Sequence, residues 1–222
     1  MNLQLPAIVR SLVTAATLAT VAVSAIAQGV AGDVKAGQSK AEMCIGCHGI
    51  PGYQNSFPEV HKVPKISGQS DKYIIASLTA YKKGDRRHPT MRGIAGALTE
   101  QDMADLAAFY AGQVSKAAPE APRAASVAAA ALIEKGACAS CHGANFSKPI
   151  DPSYPKLAGQ HADYLYVALK AYTVEGNSVI GRNNAIMSGI AKQYSHAEMR
   201  EIAKYLASID GEMAVVPQQR FK

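Results

Sequence analysis

The sequence predicts an all-α protein made of two tandem copies of one small unit, each with about three to four helices. Three observations carry that prediction. Four motifs recur in the same order along the chain, helix caps and helical apolar spacing recur inside each copy, and no segment alternates with period two long enough to read as a strand. At 222 residues the chain has room for two small cores. Its net charge of +6 arises from 23 Lys and Arg interleaved with 17 Asp and Glu. That mixture is not a nucleic-acid footprint, and no nucleic-acid partner is expected. Trp is absent, and the chain holds only 10 Tyr and 4 Phe. Cores so poor in aromatic rings call for something besides side chains to fill them.

Residues 1–27 read as a cleaved secretory signal peptide. Arg10 is the only charge before Asp33, an apolar stretch runs from Leu12 to Ile26, and Ala25-Ile26-Ala27 is a small-x-small cleavage site. The alternative is a retained anchor over the uncharged stretch 11–32, which Ser11, Thr14, Thr17, Thr20 and Ser24 disfavour. Either way the remainder is exported, and the periplasm is the expected compartment. The first domain is placed at 28–114, a linker carrying Pro119 and Pro122 at 115–125, and the second domain at 126–222.

The repeat is explicit. Cys44-Ile45-Gly46-Cys47-His48-Gly49 returns as Cys138-Ala139-Ser140-Cys141-His142-Gly143, and Pro64-Lys65-Ile66-Ser67-Gly68-Gln69 returns as Pro155-Lys156-Leu157-Ala158-Gly159-Gln160. Met91-Arg92-Gly93-Ile94-Ala95 matches Met187-Ser188-Gly189-Ile190-Ala191, and the stretch from Met103 to Phe109 matches that from Met199 to Tyr205. Asp33 caps a helix expected to run from Val34 through Ala41 to the first Cys, and Ser126 caps one over 127–135. A second helix is expected over 71–83 and over 162–173. The third opens at Thr99 and at Ser195, with acidic residues in its first turn.

All four Cys fall in Cys-x-x-Cys pairs followed at once by His. Two Cys three apart lie on one helical turn, so both sulfurs can form thioethers at one porphyrin edge while the next residue offers an imidazole to the iron. This is the attachment pattern of c-type haem. Structural zinc joins pairs separated by short loops, a thioredoxin-like pair needs a βαβ context, and disulfides require neither His. Two covalently bound haem c groups are therefore expected, held by Cys44 and Cys47 and by Cys138 and Cys141. They would also supply the large apolar bodies that the Trp-free cores lack.

An electron-transfer haem wants both axial positions filled, and a soft thioether favours Fe(II). With His48 and His142 as proximal ligands, Met91 and Met187 are the preferred sixth ligands, because they match between copies and read as residues of Gly-containing loops. Met103 and Met199 also match but fit apolar helix faces, where core packing explains them. Met43 abuts the attachment motif and Met213 has no repeat counterpart. His61 and His161 read as surface residues. His88, three before Met91, is a weak rival for the iron because Asn184 stands at its place in the second copy.

On these motifs the chain resembles the dihaem class I c-type cytochromes, and within them the cytochrome c-four family of periplasmic electron carriers. The resemblance implies two class I cytochrome c domains, each around a covalent haem, with the haems near one another at the domain interface. It also implies that the Pro64 and Pro155 carbonyls hold the proximal imidazoles. Gly37, where such folds let the terminal helices cross closely, becomes Ala131 in the second copy.

The expected function is outer-sphere transfer of single electrons between a respiratory donor and an acceptor such as a terminal oxidase, with no catalytic residue. The partners would be redox proteins, a membrane-bound oxidase and peripheral membrane contact included. The alternatives are the cytochrome subunit of a periplasmic dehydrogenase of the flavocytochrome kind and, further off, a dihaem peroxidase. The run from Lys82 to His88 reads as a solvated helix end, as a docking patch for an acidic partner, or as charge balance for haem propionates. Because each copy holds its own haem, the two sites are expected to respond independently.

Overall fold

The computed structural model describes residues 30–114 and 124–217. The predicted signal segment and the greater part of the predicted linker lie outside the described residues.

Asp33 caps α1 (Val34–Lys40), its carboxylate accepting from the Ala36 N–H at 2.6 Å. The single helix expected to reach the first Cys is broken. The chain turns at the fully buried Ala41, whose N–H reaches only three residues back to Gln38, and α2 (Glu42–His48) begins again after it. A short antiparallel ladder of β1 (Gln54–Asn55) and β2 (His61–Lys62) follows. α3 (Asp71–Lys83) keeps the predicted bounds and ends at Gly84, whose φ of 86° is the left-handed conformation that favours glycine. Then come β3 (Arg86–Arg87), α4 (Pro89–Gly96) and α5 (Glu100–Ala111).

The second copy repeats this order with α6 (Val127–Lys135), α7 (Cys138–His142), α8 (Ala162–Ala171), β4 (Gly181–Arg182), α9 (Ala185–Ala191) and α10 (His196–Ser208). Each copy thus has five helical segments, because the break at Ala41 and the short α4 and α9 add pieces to the main helices. α5 and α10 both open with reciprocal capping boxes, Thr99 with Asp102 and Ser195 with Glu198. The cores form on these helices. Ile45, Ile74, Leu106, Phe109 and Tyr110 close the first, and Phe146, Leu165, Tyr166, Met199, Ile202 and Leu206 the second.

α1 crosses α5 at Gly37, where an added Cβ would stand 2.0 Å from the Asp105 carbonyl oxygen. In the second copy the aligned Ala131 is exposed, and Ala129 is the buried residue of α6. Beside this crossing the Asp105 carboxylate is buried. It accepts from the Asp33 N–H at 2.8 Å, Lys40 Nζ at 2.6 Å and Gln101 Nε2 at 2.8 Å.

The two copies join through main chain as well as side chains. β3 pairs antiparallel with β4, placing Arg86 opposite Arg182 and Arg87 opposite Gly181. The ion pairs Lys170–Glu59 at 2.9 Å and Lys62–Asp163 at 3.6 Å also cross from copy to copy.

Bonding to the Asp33 N–H, to Lys40 and to Gln101 holds the Asp105 carboxyl down at about 2. A depressed carboxylate contributes stability above its ordinary value of about 3.9 and loses it as pH falls through the folded-state value. Asp105→Asn should therefore lower the urea midpoint at pH 7, and the deficit should shrink steadily between pH 4 and pH 2. A deficit of constant size across that range would show that ionisation of Asp105 contributes nothing.

Two candidate haem sites

Cys44 and Cys47 lie on one turn of α2, and Cys138 and Cys141 on α7; none of the four forms a disulfide. Burial pushes the Cys44 and Cys138 thiols up. His48 and His142 end their helices. Nδ1 of His48 lies 2.8 Å from the Pro64 carbonyl oxygen, and Nδ1 of His142 lies 3.1 Å from that of Pro155. A carbonyl only accepts, so each Nδ1 carries the proton and each Nε2 keeps its lone pair. Burial pulls both imidazoles below their ordinary value, outweighing the carbonyls that favour the charged form. Neutral Nε2 donors of this kind suit iron.

Met91 and Met187 do not sit in loops. Each is the third residue of a short helix, α4 or α9. His88 caps α4, its Nδ1 accepting from the Met91 N–H at 3.5 Å, and Asn184 caps α9 in the same way at 3.0 Å. Pro89 at the first position of α4 completes a helix start that the nearby glycines disguised in the sequence. His88 thus caps the helix that carries Met91, a place that Asn184 takes in the second copy with the shorter bond. Met103 and Met199 are buried in α5 and α10, as their apolar helix faces predict, and Met43 is 70% exposed. His61 is not a surface residue. It is 5% exposed, with Nδ1 2.8 Å from the Glu59 carbonyl and its ring beside Tyr164 of the other copy.

The repeated Pro-Lys block has a role that its repetition alone did not disclose. Gln160 Oε1 accepts from the Lys65 N–H at 3.0 Å, while its Nε2 donates to the Lys65 carbonyl at 2.9 Å. Gln69 reads both backbone groups of Lys156 in the same way, each at 3.0 Å. Lys65 Nζ donates to the Gly159 carbonyl at 2.6 Å and Lys156 Nζ to that of Gly68 at 2.8 Å. The block therefore binds its own copy about an approximate two-fold. Met213 fills the centre, its sulfur 3.4 Å from Gln69 Nε2 and 3.7 Å from Gln160 Nε2. The signal for this was the pairing of polar Lys and Gln in a doubled block with no helical or catalytic pattern to explain them.

The basic run from Lys82 to His88 is split, which corrects its reading as one patch. Lys82 and Lys83 are exposed at the end of α3. Pairing with β4 draws Arg86 and Arg87 inward, where the Nε of each is buried without a hydrogen-bond partner. Arg86 donates to Ser77 at 2.7 Å and Tyr164 at 3.2 Å, and Arg182 donates to the same Tyr164 hydroxyl at 3.0 Å. Among the described residues no carboxylate pairs with either guanidinium. Burial opposes ionisation of Tyr164, but the two arginines outweigh it and draw the phenol down to about 8. Half-buried cations that no carboxylate pairs with among the described residues fit a group that brings its own carboxylates, as haem does. Nor do three or more His, Cys, Asp or Glu side chains gather anywhere among the described residues to hold a bare metal ion.

This is the build of a c-type cytochrome with one haem per domain. The cytochrome c family model matches residues 34–111 and 126–210. Cytochrome c4 of Pseudomonas aeruginosa is 32% identical over 185 residues, covering 81% of this chain and 90% of that protein. The crystal structure of reduced recombinant cytochrome c4 from Pseudomonas stutzeri superposes with a TM-score of 0.60 at 27% identity, covering 81% of this chain and 100% of that one. A thiosulfate dehydrogenase electron acceptor of Thiomonas intermedia is 29% identical over 179 residues, 76% of this chain and 79% of that protein. The chain belongs to the cytochrome c family and, within it, to the dihaem cytochrome c4 proteins, which carry electrons on two covalently bound haem c groups.

Gln69 and Gln160 are 4% and 5% exposed, so removing either amide leaves two backbone groups of the other copy buried and unpaired. Each such group costs about 1–3 kcal/mol. Gln69→Ala and Gln160→Ala should each lower the urea midpoint of the haem-loaded protein. The double variant should lose less than the sum, because the first loss already loosens the joint. Full additivity would mean that the two reciprocal contacts act separately.

Proposed function

We propose that the protein is an exported, periplasmic carrier passing single electrons by outer-sphere transfer between a respiratory donor and an acceptor such as a terminal oxidase. We assign His48 and Met91 as the axial ligands of the first haem, bound through Cys44 and Cys47. His142 and Met187 are assigned to the second, bound through Cys138 and Cys141. Each haem, when bound, supplies a one-electron Fe(III)/Fe(II) couple. The observation that carries the reading is the matched geometry of the two copies. Both present a carbonyl-tied imidazole after the Cys pair and a methionine at the third position of a capped helix. With both axial positions claimed by the chain, none is left for a substrate, which disfavours the peroxidase alternative.

The remaining residues serve positioning and access. Pro64 and Pro155 orient the imidazoles and fix their tautomer. Met43, exposed beside Cys44, and Ile150, 71% exposed beyond the second attachment helix, put apolar surface near the attachment edges, where a partner could approach. Lys82 and Lys83 remain as the exposed cations of the basic run. Among the described residues no helix is long and apolar enough to cross a membrane. Similarity to a thiosulfate dehydrogenase electron acceptor supports a second reading, service to a periplasmic dehydrogenase. Co-purification with a dehydrogenase subunit would favour that reading over free shuttling.

The assignment is tested in two measurements. Intact mass of the exported protein should exceed the mature polypeptide by two haem groups that survive acid–acetone extraction; bare polypeptide would refute the reading. Met91→His or Met187→His should lower one reduction step and remove one haem's sulfur-to-iron charge-transfer band in the near infrared. Met103→Leu, which conserves volume, should cost under about 1.5 kcal/mol and leave both steps in place. A shift with Met103→Leu but none with Met91→His would overturn the first-domain assignment.

A further inference from the structure

We propose that the Tyr110 hydroxyl donates to the thioether sulfur that Cys44 forms with the first haem, and that this donor, absent from the second copy, raises the potential of the first haem alone. The inference rests on attachment of the first haem through Cys44 and Cys47.

Tyr110 lies near the end of α5 with 4% of its surface exposed, and its buried hydroxyl has no hydrogen-bond partner. An unmet buried hydroxyl costs about 1–3 kcal/mol, so one that persists fits a partner that arrives with the haem. The group beside it is Cys44, close enough for each to shift the other's affinity for its proton. Burial holds the phenol protonated far above its ordinary range, so it meets the sulfur as a donor. The Cys44 thiol marks where the thioether sulfur would stand, and such sulfurs are weak acceptors. The ring is held in place. It meets Phe109 edge-on with 5.1 Å between centroids and shares a core with Ile45, Ile74 and Leu106. The Tyr110 carbonyl accepts from the Gly68 N–H at 2.8 Å.

The second copy supplies the contrast. Gly159, the repeat partner of Gly68, gives its N–H to the Leu206 carbonyl at 3.0 Å, so Leu206 holds the place of Tyr110. The tyrosine beside Cys138 comes from elsewhere. A Cβ added at Gly136 would stand 2.4 Å from the Tyr194 hydroxyl and 3.3 Å from the Cys138 sulfur. The Tyr194 proton is already spent on the Leu132 carbonyl, 2.8 Å away. Leu98 occupies the matching position of the first copy. Each copy thus sets one phenol near its first cysteine, one from the end of α5 and the other from the turn before α10. Only Tyr110 has a proton left to offer. The positive end of an O–H dipole at a haem sulfur favours the electron-richer Fe(II) form, whereas a phenol whose proton points away does not.

The test is redox titration of the haem-loaded protein carrying Tyr110→Phe, which keeps the ring and removes the hydroxyl. One of the two one-electron steps should fall and the other should stay. The expected fall is about threefold in the reduction equilibrium, or about 28 mV at 59 mV per tenfold. Tyr110→Leu gives the first copy the residue of the second and should lower the same step, including where the Phe variant loads haem poorly. Tyr194→Phe deletes the comparable hydroxyl of the second copy and should lower neither step. Combining Tyr110→Phe with Met187→His assigns the steps, because the two substitutions should lower different ones. If Met187→His lowers neither, the axial assignment fails, while a single step lowered by Tyr110→Phe still supports the donor. An unchanged titration with Tyr110→Phe, two steps that fall together, or a fall in the step that Met187→His lowers would overturn the proposal.

Discussion

One peptide separates the proximal histidine we assign to each haem from the joint between the domains. Pro64 accepts the bond that fixes His48, and the next residue, Lys65, has both of its backbone groups read by Gln160 of the other copy. Pro155 and Lys156 repeat the arrangement with His142 and Gln69. A proximal imidazole tolerates little rotation if its lone pair is to meet an iron. The short link therefore makes the orientation of each assigned imidazole depend on how the two copies are joined. Gly68 and Gly159, with φ of 80° and 74°, give the block the turn that the contact requires. An added Cβ at Gly68 would also stand 2.3 Å from the Glu212 carbonyl oxygen.

The joint gathers charge that a protein this size would normally leave in water. Two guanidiniums meeting at one hydroxyl are unfavourable in a polypeptide alone and become favourable when carboxylates enter beside them. The interface and the haems should then stabilise each other. Each domain has a modest aromatic-poor core that a covalently held macrocycle would complete. The repeat supplies two cages, and their contact joins them.

Much of this was legible in the sequence because it is local. Asp33, Ser126, Thr99 and Ser195 cap helices where a short polar side chain precedes an apolar period, and the Cys-x-x-Cys-His spacing states its own chemistry. What escaped was non-local or masked. Alanine is a good helix former, so the break at Ala41 reflects burial and not propensity. Gly93, Gly96 and Gly189 made the methionine segments read as loops, while the helix-starting signals were Pro89, His88 and Asn184. A run of four cations reads as solvated, and only pairing with a strand 96 residues later turns Arg86 and Arg87 inward. Met213 lacked a repeat partner because it sits on the approximate two-fold, where one residue serves both copies. The burial of His61 likewise depends on Tyr164 from the other copy.

An experimental structure of the haem-loaded protein tests the central claim most directly, because it shows which groups meet the irons. The account predicts Nε2 of His48 and of His142 on the irons, with Nδ1 of each still on the Pro64 and Pro155 carbonyls. Irons met by other side chains, or imidazoles turned off the proline carbonyls, would contradict it.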